Sequence, residues 1–299
     1  MYVHKPKITV IIICYNQVQY LRDAINSVLN QTYNNIQIIV ADDNSTDGSA
    51  ELLNELSIKH NFIFLSSKIN MGLNNNIVRT LSSLQGEYVS ILASDDYIAL
   101  NKIELQVEYL LSSGDDGVYA TGYTKLGESE NLIILNKVFA ENDKKKILDY
   151  VYIYDYGAPL LQSGLFKKSL VLDLVQLWKN YKSDDWSFLI KSFERYNIGF
   201  INQPLFYYRL HNTNTHKNYW ATLPMRVDIA SRLVPPEYRV RSLSNILLSH
   251  GHYLLADKNF FTALKFYFSS LVMNFSFKNL WSIIKNLLAF LKNSFNLRK

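Results

Sequence analysis

The chain has 299 residues, 48% of them apolar, which suits one large folded domain or a domain with a smaller appendage and excludes a disordered chain. Its one cysteine, Cys14, rules out a disulfide framework within a single chain. The net charge of +5 is no nucleic-acid signature: residues 258–299 hold seven lysines and arginines and no acid, leaving the preceding 257 residues at −2.

The first half alternates strand and helix. Residues 1–7 lead into a β-branched run, 8–14, which is too short to span a membrane and lacks a small-residue cleavage site, so a cytoplasmic protein is expected. That run reads as a strand, and Tyr20, Leu21, Ile25, Val28 and Leu29 then recur at helical spacing. A strand over 36–41, a helix over 46–59 with Ser45 or Asp47 near its start, and a strand over 62–66 follow. Gly72 punctuates the chain before 77–84. Gly86 precedes a strand over 88–93, and a helix over 102–111 and a strand over 117–122 complete the series. The pattern predicts a doubly wound sheet of parallel strands. Two carboxylate pairs, Asp42-Asp43 and Asp95-Asp96, each close an apolar strand and so share one rim of that sheet, where such sheets bind ligands. Adjacent carboxylates repel, and a divalent metal is the usual remedy.

The second half is less regular. Residues 150–167 mix aromatics with Gly157, Pro159 and Gly164, the composition of loops over a pocket or of an ordinary packed insertion. Helices over 170–178 and 186–193 flank Asp184-Asp185, and 200–209 reads as a strand with Pro204 near an edge. Val234-Pro235-Pro236 marks a boundary, because two prolines in series cannot continue a helix. Near the C-terminus Leu280, Trp281, Ile284, Leu287, Leu288, Leu291 and Phe295 form one stripe, and Lys278, Lys285, Lys292 and Lys299 recur every seven residues beside it. This is the composition of a helix lying on an anionic membrane. A helix that packs its apolar stripe on the protein body and solvates its lysines is the alternative.

The run Ile8-Thr-Val-Ile-Ile-Ile-Cys-Tyr-Asn16, then Tyr20-Leu21, Ser27-Val-Leu-Asn-Gln-Thr-Tyr33, and Ile38-Ile-Val-Ala-Asp-Asp-Asn-Ser-Thr-Asp-Gly-Ser49, resembles the N-terminal signature of family 2 inverting glycosyltransferases. The similarity continues through Asn70, Gly72, Asn76, Arg79 and Gly86-Glu-Tyr-Val-Ser-Ile-Leu-Ala-Ser-Asp-Asp96, covering about the first third of the chain densely. It implies the A-type glycosyltransferase fold, a Rossmann-like, mostly parallel sheet flanked by helices. The expected organisation is a catalytic domain over 1–233, with a nucleotide-sugar half over 1–123 and an acceptor-side half over 124–233. A helical extension over 234–299 would follow it.

The resemblance also implies roles. Tyr15 and Asn16 would hold the nucleoside, Tyr15 stacking on the base, while Asp43 accepts from an imide N–H, which favours uracil or thymine over cytosine. Asp42 would cap the next helix or orient the loop, and Asn70 and Arg79 would line the same donor site. Asp96 would ligate Mg²⁺ or Mn²⁺, with Asp95 on the ribose or a metal-bound water; the further Asp common in the family is Ala93 here. Asp185, with Asp184 second, matches the place of the catalytic base, although Ser183 or Asp184 could equally be a helix N-cap. In Tyr207-Tyr-Arg-Leu-His211, His211 would be a further metal ligand and Arg209 would meet the diphosphate.

These expectations describe an enzyme that moves one sugar from a UDP- or dTDP-sugar to a hydroxyl of a lipid-linked or cell-surface glycan. It would sit on the inner face of the membrane through its C-terminal helices and bind no nucleic acid. No Gln-x-x-Arg-Trp motif follows the base, which argues against a processive synthase. A sugar nucleotidyltransferase would carry a Gly-rich basic loop where Tyr15-Asn-Gln-Val18 stands. A silent binding scaffold would not need these ordered carboxylates.

Overall fold

A strand covered on both faces and paired on both edges should be apolar throughout. The computed structural model, which describes residues 5–154, 157–180, 185–212, 214 and 219–296, shows this for β1 (Ile8–Cys14), buried at every position. Helix α1 (Val18–Leu29) turns Leu21, Ala24, Ile25 and Val28 inward, and β2 (Ile36–Asp42) then lies parallel to β1 with Cys14 opposite Asp42. Next come α2 (Ser49–His60), β3 (Ile63–Ser66) parallel to β2, and α3 (Leu73–Thr80). β4 (Tyr88–Ala93) runs parallel to β1 on its other side, with Ile13 opposite Ala93.

The rest of the sheet is less regular, mixing short strands with the two longest. In chain order the elements are β5 (Tyr97–Ile98), α4 (Lys102–Ser113), β6 (Gly117–Leu126), β7 (Ser129–Leu132), α5 (Val138–Glu141) and α6 (Lys144–Val151). After them come β8 (Leu165–Lys167), α7 (Lys168–Asn180), α8 (Asp185–Arg195) and β9 (Ile198–Arg209). Among the described residues nine strands form one sheet, ordered β3-β2-β1-β4-β8-β6-β9-β5, with β7 paired to β6. β5, β7 and β8 run against the other strands, so the sheet is mixed, its principal strands still pointing one way. Pro204 sits within β9 where the β6 pairing slips register, the kind of bulge that tolerates a residue without an N–H.

The chain forms two compact units, Met1–Ile147 with Gly157–His211, and Leu148–Tyr156 with Asn212–Lys299. The second unit contains α9 (Tyr219–Arg232), α10 (Pro236–Ala256), α11 (Phe260–Met273) and α12 (Phe277–Asn296). Its core is Leu248, Leu254, Leu255, Ala263, Tyr267 and Ile283. The Pro-Pro pair, expected at a domain boundary, lies inside this unit instead. Pro236 occupies the first turn of α10, where its missing N–H costs nothing, and Val234 is fully buried. Of the two readings of residues 150–167, the packed insertion fits the stretch around residues 163–166, where Ser163, Leu165 and Phe166 are inaccessible to solvent.

Candidate active site

All strands that carry a predicted site residue at their C-terminal end point the same way, so Tyr15, Asp43, Asp95 and Arg209 share one rim. Tyr15 is 48% exposed immediately after β1, an aromatic platform with an open face. Asn16 adopts a left-handed conformation (φ 52°), donates its N–H to the hydroxyl of Ser45 at 2.8 Å, and accepts the Thr46 N–H at 2.8 Å. It thereby ties the end of β1 to the loop after β2.

The first carboxylate pair is spent on shaping this rim. Asp42 is fully buried and accepts both the N–H (3.0 Å) and the hydroxyl (2.5 Å) of Ser45, which is the loop-orienting role. Asp43 grips the next turn, its two oxygens accepting the N–H groups of Met71 and Gly72, each at 2.8 Å. Gly72 (φ 81°, ψ 161°) lies in a region of backbone space that only glycine enters readily. Asn70 accepts the same Gly72 N–H at 3.1 Å. Arg79 donates to the carbonyls of Asp42 (2.5 Å) and Leu65 (2.7 Å), so its guanidinium fastens the ends of β2 and β3. Both Asn70 and Arg79 thus hold the loop expected to line a donor.

The second pair divides its labour differently from expectation. Asp96, 1% exposed, accepts the backbone N–H of Arg209 at 2.9 Å through Oδ1, while its Oδ2 is buried without a hydrogen-bond partner. Burial, then the charge of Asp95, pushes its carboxyl well above the usual range, against the pull of the Arg209 N–H. Asp95 meets His211, Oδ2 to Nε2 at 2.9 Å, and His211 in turn stacks on Tyr20 with ring centroids 5.0 Å apart. Asp185 opens α8 close enough for its charge to bear on Asp96 and on Tyr119. Asp184, the second candidate base, and Ser183 lie outside the described residues. The guanidinium of Arg209, expected to meet a diphosphate, lies 3.0 Å from Asp23 and over the rings of Tyr20 (4.7 Å) and Tyr97 (5.3 Å). A cavity of about 790 Å³ beside it is lined by Tyr20, Asp23, Tyr97, Lys125 and Glu128, and by none of Asp43, Asp95, Asp96 or Asp185.

The sequence profile described as Glycosyl transferase family 2 matches residues 9–162. The chain belongs to glycosyl transferase family 2. An uncharacterized glycosyltransferase of Haemophilus influenzae is 33% identical over 193 residues, 62% of this chain and 71% of the relative. The first curated relatives it matches are spanned unevenly, from 21% to 71% of their length. Two solved structures share the fold. TarS from S. aureus in complex with UDP-GlcNAc has a TM-score of 0.59 at 19% identity, covering 82% of this chain and 72% of that one. The mannosyltransferase PcManGT from Pyrobaculum calidifontis, in complex with GDP-Man and Mn2+, has a TM-score of 0.61 at 15% identity, covering 96% of this chain and 81% of that one. The family 2 chain described here therefore has the A-type glycosyltransferase fold, and its helical C-terminal region follows that fold.

Within this family 2 rim, the donors present suit a divalent cation of one kind. Among the described residues no three His, Cys, Asp or Glu side chains form a protein cage. Mg²⁺ or Mn²⁺ in a nucleotide site needs none, since one or two carboxylates and the substrate phosphates complete the shell. Asp95, paired with His211, fits that requirement.

Some members of the site carried no local signal in the sequence. Asp23 meets Arg209 across 186 positions, Tyr97 lay between the elements read from the sequence, and Tyr20 stood in the helical spacing and the family signature without a link to Arg209 until the fold brought them together. Asp47 was visible as a helix start, but it accepts the Val18 N–H of α1 (2.9 Å) as well as the Ser49 N–H of α2 (3.0 Å), bracing both helices.

Proposed function

We propose that this family 2 enzyme is a metal-dependent inverting transferase that moves one sugar from a UDP- or dTDP-sugar to a hydroxyl of a lipid-linked or cell-surface glycan on the cytoplasmic side of the membrane. The observation that carries the reading is the Asp95–His211 pair set on the rim, with the charge of Asp185 bearing on the neighbouring Asp96.

In this reading Tyr15 stacks on the base. Asp43 reads the imide N–H with the lone pairs left over from Met71 and Gly72, since each carboxylate oxygen has two acceptor positions. The A-type fold does not choose the base by itself, because TarS is described with UDP-GlcNAc and PcManGT with GDP-Man. Base choice therefore rests on Asp43. Asp95 and His211 would hold the cation, with Asp96 the neighbouring buried carboxyl. A bound Mg²⁺ or Mn²⁺ supplies charge neutralisation on the departing diphosphate. Asp185 takes the proton of the acceptor hydroxyl as that oxygen bonds to the anomeric carbon and the nucleoside diphosphate leaves from the opposite face.

Positioned bases contribute about 10²- to 10⁴-fold to rate. Asp185→Asn should therefore lower turnover by that order while donor binding, followed by isothermal calorimetry, stays at the wild-type level. Wild-type turnover in the variant would remove Asp185 from the base role.

A further inference from the structure

The C-terminal helices keep apolar surface that their own packing does not use. On α11, Ala263, Tyr267 and Ser270 are buried, whereas Phe261, Leu264, Phe268 and Val272 are exposed, Phe261 to 79% and Phe268 and Val272 each to 69%. On α12, Ile283 is buried and Leu287 and Phe290 pack against the core, whereas Phe277, Trp281, Ile284, Leu288 and Leu291 are exposed, Phe277 to 80% and Trp281 to 69%. In each helix the exposed set recurs at steps of three and four, which is one continuous face. Phe275, in the link between them, is also exposed and meets Phe277 edge-on at 5.3 Å. The single stripe expected from the sequence is thus two faces, one consumed by packing and one left open.

Charge says what covers the open face. Lys265, Lys285 and Lys292 are exposed and border the apolar stripes, and residues 258–299 contain no acid. A protein partner or a second copy would need no such one-sided charge, whereas apolar side chains edged by lysines match a lipid surface with anionic headgroups. No helix among the described residues is long and apolar enough to cross a membrane. We infer that α11 and α12 dock flat on an anionic bilayer, their open stripes among the acyl chains and Lys265, Lys285 and Lys292 at headgroup level. This binding stands apart from glycosyl transfer, since it is read without turnover.

The test is flotation of the full-length protein with phosphatidylcholine vesicles, with and without phosphatidylglycerol. The wild type should float only with the anionic vesicles and release with salt. Lys265→Gln, Lys285→Gln and Lys292→Gln together should weaken binding on the order of a hundredfold, at about fivefold per lysine. These lysines are exposed, so the variant keeps its fold; Lys278 is left in place because it lies over Tyr154 at 5.0 Å. Phe268→Glu with Trp281→Glu should abolish binding while leaving the melting temperature at the wild-type value. Flotation unaffected by either set would overturn the proposal. So would a dimer in solution that Phe268→Glu and Trp281→Glu convert to monomer, since a second copy would then cover the face.

Discussion

Lys102 is the most consequential side chain that no motif announced. It lies fully buried at the start of α4, its ammonium donating to the Ser90 hydroxyl at 3.0 Å and the Gly164 carbonyl at 3.3 Å, and burial pulls its pKa down to about 7. Below that value folded and unfolded chains are both charged. Between about 7 and the ordinary 10.5 the unfolded chain binds a proton that the folded chain lacks, so stability rises with pH across that window. Ser90 also donates to Gly164, so an apolar replacement strands neither group. Lys102→Met should accordingly be more stable than the wild type near neutral pH, by a few kcal/mol in order of magnitude, with the gap narrowing as pH rises and closing toward about pH 10.5. Urea unfolding at several pH values checks this, and a gap that ignores pH would mean that Lys102 stays charged when folded.

Among the elements, α10 and α11 meet through a glycine that helix propensity alone would discourage. A Cβ on Gly251 would sit 2.5 Å from the Tyr267 ring, so the close approach requires glycine despite its cost in a helix. Ser244 and Ser270 exchange hydroxyl and carbonyl hydrogen bonds across the same pair of helices. Gly251→Ala should therefore destabilise by about 1–3 kcal/mol although alanine is the better helix former, measurable as a lower urea midpoint. An unchanged or raised midpoint would show that Tyr267 moves aside freely. The long apolar strands β1 and β4 were legible to the residue, because full burial leaves an uninterrupted apolar run. The short antiparallel strands β5, β7 and β8 were not, since two to four residues carry no periodicity and their pairing is decided by the sheet they join. The same limit governed the site: strand-end carboxylates could be read as a rim, but whether Asp95 or Asp96 faces outward depends on β9, more than a hundred residues away.

At the scale of the whole molecule, the C-terminal unit is built around a piece of chain from well upstream. Residues 148–156 belong with the C-terminal helices, where Tyr152 packs on Tyr238 at 5.1 Å and Asp149 accepts the Tyr238 hydroxyl. A chain ended at His211 would strip these partners and expose Val151, Tyr152 and Ile153, all buried in the full protein. It should melt at a lower temperature and bind a hydrophobic dye; a truncated chain with the full-length melting temperature would show that the segment is dispensable. The proposed metal-assisted site for a uridine or thymidine diphosphate sugar has Asp43 on one side and Asp95 with His211 on the other. Thermal denaturation with UDP, dTDP, GDP or CMP, each with and without Mn²⁺, for the wild type and Asp95→Asn, tests it most directly. UDP or dTDP at a hundred times its Kd should add about 2.7 kcal/mol, only with Mn²⁺ and only in the wild type. Stabilisation by GDP alone, or a shift that needs neither Mn²⁺ nor Asp95, would contradict the account.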